Sequence, residues 1–396
     1  MDASFPEPGS QADVQLAARL VVDGILPEST VRAVLAKQRE LKERGRPISV
    51  AEICQRKGWI TMSEVRWLSS MESPAKDLLP GLTLKSFLGQ GGMSKVYGGV
   101  DQQSGESVAV KVLLPALRRQ DETLAEFRAE GELLVSLEHE NLVRGYYVNE
   151  HDGLVYLVME IVDGRSVQQH LDDAGRFDED AALYLILQTA RALTHLHARG
   201  LVHRDIKPGN ILINDENVVK ICDLGLAIKA GSGDGETTAG TAHYIAPEQA
   251  RAEGGLDVRS DIYALGVTLY QLMVGKLPFE GETNQETMAK RLLDELRSPE
   301  LKGIAVSPHV HYFVQKMMAL DREVRYQSPQ ELIDDIEEQI RGAKSLDAQP
   351  GKSRAGNVEL QKPFKAEKSK GVVKKTGQGA RRPSKGWNPP RRRPGR

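Results

Sequence analysis

His203-Arg204-Asp205-Ile206-Lys207-Pro208-Gly209-Asn210 stands between a helix-patterned run, Ala181–Ala198, and a short hairpin formed by Ile211–Ile213 and Val218–Ile221. Asp223-Leu224-Gly225 follows Asn210 by 13 residues. The stretch gathers two carboxylates, an ammonium and an amide in loops held between regular elements. Such a set suits phosphoryl transfer, in which little covalent work falls to the protein and positioning and charge neutralisation dominate. Asp205 can accept or orient the proton of an attacking hydroxyl, and Lys207 can offset charge on the moving group. Asn210 and Asp223 supply oxygen ligands of the kind Mg2+ takes. Asx turns and loop caps explain one such residue, but not the whole set at this spacing.

Upstream lies Leu88-Gly89-Gln90-Gly91-Gly92-Met93-Ser94-Lys95-Val96, between two strand patterns. Glycines let backbone amides approach and point at phosphates. Alone, a glycine-rich hairpin is more often only a turn. Lys111, 15 residues after Val96, closes Val108-Ala109-Val110-Lys111 on a third strand. A lysine in an otherwise apolar strand is costly to bury unless paired. Its expected partners are phosphate and Glu130, on the inward face of the next helix.

Working outward, Leu82–Leu88, Lys95–Val100 and Ser107–Leu113 read as strands and Thr123–Leu137 as a helix. Leu142–Val148 and Leu154–Met159 are strand-like again, and helices dominate after Val167. Strand-rich then helix-rich reads as a two-lobed α+β enzyme. The expected domain spans 82–342, with the small lobe and hinge at 82–162 and the large lobe at 163–342.

These motifs resemble the protein kinase superfamily. Gly91-Gly92-Met93-Ser94 and Gly240-Thr241-Ala242-His243-Tyr244-Ile245-Ala246-Pro247-Glu248-Gln249-Ala250 are similar to the eukaryotic-like serine/threonine kinases of bacteria. The resemblance covers about 82–342 and implies a bilobal kinase fold with ATP and Mg2+ (or Mn2+) as cofactors and proteins as substrates. It implies that Leu88 to Val96 bind ATP, with Gly89, Gly91 and Ser94 covering the phosphates and Val96 and Ala109 packing on the adenine. It places Met159 at the gate of the adenine pocket, Glu160 to Val162 at the hinge and Leu212 below the base. Lys111 would hold the α/β-phosphates and pair with Glu130, Glu248 would pair with Arg325, and Asp261 would brace the catalytic loop. Lys207 points to serine and threonine acceptors. Arg204 would await a phosphate on Thr237 or Thr238 of the segment from Asp223 to Glu248, and Thr241 would help form the substrate platform. Two departures stand out. Ser94 replaces the third glycine, and Leu224 occupies the usual phenylalanine position, where it preserves an apolar plug. The alternative reading, a nucleotide-binding pseudokinase scaffold, would be favoured by loss of Lys111, Asp205, Asn210 or Asp223, and all four are present.

Outside that domain the composition changes. Residues 1–10 are expected to be disordered, and 11–72 to form a small helical module. Gly24-Ile25-Leu26-Pro27-Glu28-Ser29-Thr30-Val31-Arg32 matches Gly58-Trp59-Ile60-Thr61-Met62-Ser63-Glu64-Val65-Arg66 at a spacing of 34. That weak repeat suggests about four helices, serving as a docking module for a partner or as a solubilising extension. Residues 73–81 read as a linker. From Ser345 to Arg396 there are 15 Lys+Arg and 3 Asp+Glu, a surplus of +12, while the other 344 residues carry 38 and 52, or -14. The 343–396 tail is expected to be disordered, and a polyanion is one partner it could take. Two distant cysteines, Cys54 and Cys222, argue against disulfides or zinc and fit a reducing cytoplasm. The longest apolar uncharged run, Ile262–Gly275, has 14 residues, short of the roughly 20 a membrane span needs.

Overall fold

The computed structural model describes residues 6–69, 78–224, 227–229, 243–251, 253, 255–279, 281, 283, 286 and 306–347. The chain begins with four helices, α1 (Gln11–Val22), α2 (Glu28–Glu43), α3 (Val50–Arg56) and α4 (Met62–Ser69). Local chemistry sets their starts. The Ser10 and Ser49 side chains cap α1 and α3 by accepting backbone N–H groups. Thr61 and Glu64 form a reciprocal box on α4: the Thr61 hydroxyl accepts from Glu64 N at 3.1 Å, and the Glu64 carboxylate accepts from Thr61 N at 2.6 Å. Asp13, wholly buried, ties the helices together by accepting from Gln38 Nε2 at 2.5 Å and Val50 N at 2.7 Å.

Next comes an antiparallel five-stranded sheet, β1 (Leu82–Gln90), β2 (Ser94–Asp101), β3 (Ser107–Leu113), β4 (Gly145–His151) and β5 (Leu154–Glu160), in the order β1-β2-β3-β5-β4. Helix α5 (Asp121–Ser136) lies between β3 and β4 in sequence and is preceded by a 3-10 turn at Leu117–Arg119. The strand expected over Leu142–Val148 instead begins at Gly145. Leu142 turns inward to form an isolated parallel bridge with Ile221, and Val143 N donates to Ile221 O at 2.9 Å. This joins the two lobes.

The two-residue period of the strands assigns each side chain to a face. On β3, Leu113 faces the core shared with α5 and the large lobe, while Val108, Val110 and Val112 face the other way. The same alternation on β5 sends Val155 and Leu157 inward and Leu154, Tyr156 and Val158 outward. The outward set is not exposed. It forms one buried cluster with Leu16, Leu20, Ile25, Trp67 and Leu68 of the helical module. The sheet is therefore sandwiched, with the core shared with α5 and the large lobe on one face and α1–α4 on the other.

The large lobe is helical. It contains β6 (Gly164–Ser166), α6 (Val167–Ala174), α7 (Glu179–His197), β7 (Leu201–Val202), β8 (Ile211–Asn214), β9 (Val219–Ile221), β10 (Ile228–Lys229), α8 (Pro247–Ala250), α9 (Val258–Val274), α10 (Pro308–Met317) and α11 (Pro329–Asp347). Helix α9, capped at its C-terminus by Gly275, carries the apolar Ile262–Val274 run and is buried almost throughout. Among the described residues, no helix is long and apolar enough to cross a membrane. The architecture is α+β and bilobal, a small sheet lobe on a large helical lobe.

Candidate active site

The loop between β7 and β8 carries His203 to Asn210, and Asp261 on α9 holds its backbone. The Asp261 carboxylate accepts the N–H groups of His203 and Arg204, each at 2.8 Å, in a site where Asp261 is 1% exposed. Arg204 can thereby adopt a left-handed backbone, φ 69°, a conformation that costs a non-glycine residue about 1–3 kcal/mol.

Within the loop the predicted residues converge. Lys207 Nζ lies 2.7 Å from Asp205 Oδ2, and Asn210 Nδ2 donates to that oxygen and to the Asp205 carbonyl, both at 2.9 Å. Asn210 spends its amide nitrogen on Asp205, and its Oδ1 accepts no hydrogen bond among the described residues. That leaves Oδ1 as an oxygen donor, and Cys222 N, one residue before Asp223, donates to the Asn210 carbonyl at 3.0 Å.

Across the cleft, Lys111 Nζ meets Glu130 Oε1 at 2.5 Å and Asp223 Oδ1 at 3.3 Å. Burial pulls the Lys111 pKa down, but the two carboxylates outweigh it and hold the ammonium above its usual range. Burial likewise pushes Asp223 up, but Lys111, with His203 and Lys207 further off, holds it below the ordinary carboxylate value. Asp223 stays ionised, as a metal ligand must. Its backbone is also left-handed, φ 66°. The next residue, Leu224, is 2% exposed and packs in the large-lobe core as an apolar plug.

In the small lobe, Val96 is opposite Lys111 and Ala109 opposite Met159 in the strand register. Leu212 on β8 is half-buried, as are Met159 and Val162. The Glu160 side chain is engaged by Lys220 Nζ at 2.9 Å and by Arg144 N at 3.1 Å. The glycine-rich turn is closed by Gly91 N donating to Ser94 O at 2.9 Å, and Met93 O accepts from Leu114 N at 2.9 Å. Gly89, Gln90 and Gly92 line the same turn. Leu88 projects, 51% exposed. Lys95 departs from the expected ATP contact. Its position opposite Val112 puts the side chain on the outer face, where Nζ lies 5.1 Å from the centre of the Trp67 ring.

A sequence model of the protein kinase domain matches residues 82–335. The chain belongs to the protein kinase domain family. Among curated relatives, PrkC of Bacillus subtilis, a serine/threonine-protein kinase, is 36% identical over 253 residues, covering 63% of this chain and 39% of that protein. PknB of Mycolicibacterium smegmatis, also so named, is 35% identical over 262 residues, covering 64% and 42%. The chain thus spans about two fifths of the length of these relatives.

Other kinase-domain positions fall as follows. Glu248 and Arg325 form a buried bidentate pair at 2.7 and 2.8 Å. Thr237, Thr238 and Thr241 lie outside the described residues. Sequence reasoning missed a polar clamp behind the loop. Asn141 Nδ2 donates to Gln188 Oε1 at 3.0 Å and Val219 O at 2.9 Å, and Gln188 Oε1 also takes Val219 N at 3.0 Å. A glutamine inside the apolar α7 pattern was its only trace. Cys222, beside Asp223, is half-buried, and desolvation pushes its thiol up to about 12, which disfavours the reactive thiolate.

Proposed function

We propose that this chain is an ATP-dependent serine/threonine protein kinase of the non-specific class, transferring the γ-phosphoryl group of ATP to serine and threonine hydroxyls of proteins. The observation that carries the reading is the meeting of the Asp205–Lys207–Asn210 cluster with the Lys111–Glu130–Asp223 cluster across one cleft. A substrate hydroxyl placed at Asp205 gives its proton to that carboxylate as the new O–P bond forms. The β–γ bridging bond breaks and ADP leaves. Lys207 offsets the charge of the moving group, and Lys111, fixed by Glu130, holds the remaining phosphates.

The donor set fits Mg2+. Asn210 Oδ1 and the ionised Asp223 are hard oxygen donors, with no thiolate or imidazole in the set. Bound there, the ion would neutralise phosphate oxygens. Leu88 to Val96 would cover the phosphates, with only the backbone of Lys95 taking part. Val96, Ala109, Met159, Glu160, Val162 and Leu212 would enclose the base. Arg204 would receive a phosphate on Thr237 or Thr238 and so order the activation segment, with Thr241 near Asp205. We place this activity in cytoplasmic signalling, where ATP is available.

The test is incubation of the purified full chain with labelled ATP and Mg2+ beside Asp205→Asn. Label should enter protein serine and threonine with wild type and fall by about 100-fold or more with the variant. Equal incorporation in both would sink the assignment.

A further inference from the structure

The segment from Leu114 to Arg119 links β3, which carries Lys111, to α5, which carries Glu130. It is also the seam between the two buried clusters. Leu114 and Ala116 pack with the outward cluster shared by the module, and Leu117 packs with the large-lobe core. Leu114 N in addition donates to Met93 O in the phosphate loop at 2.9 Å. One short connector therefore touches the phosphate loop, the root of α5 and the helical module.

Two arginines at its end reach into the module. Arg119 Nη1 donates to Ile25 O, between α1 and α2, at 2.9 Å. Arg118 Nη1 lies 3.7 Å from Glu64 Oε1 on α4, and its Nη2 lies 3.5 Å from Glu150 on β4. Glu64 is 1% exposed, so the arginine is the cation a buried carboxylate requires. The β4–β5 turn holds the same N-terminal end of α4. There Asp152 Oδ2 accepts Ser63 N at 2.9 Å, and its carbonyl accepts the Thr61 hydroxyl at 2.6 Å. The family match begins only at residue 82, so these helices lie outside it.

Resting on the kinase reading above, we propose that α1–α4 act in cis as a positioning element of the kinase domain. Arg118 and Arg119 are its positioning residues, gripping the connector so that α5 keeps Glu130 on Lys111. Neither arginine touches the cleft. They act through α5, whose rotation away from β3 would release Glu130 and leave Lys111 unfixed for the phosphates. The occupant of the outer sheet face is this chain's own module, so no second protein is needed to complete the small lobe.

The full chain carrying Arg118→Met and Arg119→Met keeps the aliphatic packing and loses both grips. Its dissociation constant for Mg2+-ATP, measured by calorimetry, should rise about tenfold. Amide exchange in α5 should quicken more than that in α1–α4, where the loss of the cations beside Glu64 loosens only the start of α4. Arg118→Lys with Arg119→Lys, which keeps the donors and charges, should restore both. Wild-type ATP affinity and α5 exchange in the double Met variant would overturn the proposal. So would equal loosening of α1–α4, or failure of the Lys pair to restore. If the double variant does not fold, Arg119→Met alone is read the same way. ATP binding is measured without turnover, so the result stands apart from the Asp205→Asn comparison, which tests the kinase reading itself.

Discussion

Arg325 and Glu248 share two hydrogen bonds, 2.7 and 2.8 Å long, with their side chains 0% and 4% exposed. The guanidinium also caps Ala319 O and Leu320 O and lies 4.9 Å from the Tyr263 ring. It therefore ties the α8 segment to α9 and to the turn after α10. Arg325→Ala leaves Glu248 buried and unpaired, and should destabilise the large lobe by about 3–5 kcal/mol in urea unfolding. A loss below about 1 kcal/mol, the scale of an exposed pair, would contradict this account.

Lys111→Met should act on chemistry and on the cleft together. Two carboxylates, Glu130 and Asp223, lose their shared cation. Asp223 should then titrate higher, and phosphate positioning should fail. We expect kcat to fall by about 100-fold or more, read as label transfer from ATP. The fold should survive, because β3 keeps its strand pairing.

Gly131 is next to Glu130 and lets α5 press on β4. A Cβ there would stand 2.3 Å from Val148 Cγ2. Gly131→Ala should therefore push α5 outward, despite alanine's better helix propensity, at a cost of about 1–3 kcal/mol. Thermal midpoint and ATP affinity should both drop. A stabilised protein would mean that the sheet yields instead.

Glu64 makes stability depend on pH. Burial raises its pKa above the ordinary 4.5, against the pull of the Thr61 hydrogen bonds, Arg119 and Arg118. A carboxyl with a raised native pKa binds more protons folded than unfolded, so its contribution improves as pH falls through that native value. The midpoint temperature of wild type relative to Glu64→Gln should therefore rise as pH is lowered from 7 toward 4.5. A flat difference would remove Glu64 from the account.

What the sequence revealed follows the reach of each interaction. Asp205, Lys207 and Asn210 sit within one loop, so their spacing alone announces a site. Lys111 was legible because a charge in Val108-Ala109-Val110 demands partners, and Glu130 lay on the next helix. The bilobal order followed from period-two runs giving way to helical ones. The outer cover of the sheet left no comparable trace. Val108, Val110 and Val112 announce that something buries them, but not what. The fragments that do so, around Leu20, Ile25 and Trp67, are 40 or more residues away and joined by no motif. Lys95 misled for the same reason, since its neighbours place it in the phosphate loop and only the strand register turns it toward Trp67. Leu142 read as strand because it is apolar, whereas it serves as the pin between lobes.

The sandwiched sheet has a practical consequence for anyone cutting this chain. Trimming to Leu82, where the family match starts, would strip the cover from Leu84, Tyr97, Val110, Val112, Tyr156 and Val158 at once. That wall of aliphatic and aromatic carbon would meet water as one continuous patch, the kind that drives self-association. The smallest soluble, faithful fragment should therefore begin at Ser10, ahead of α1, and carry helices that no kinase boundary would have included.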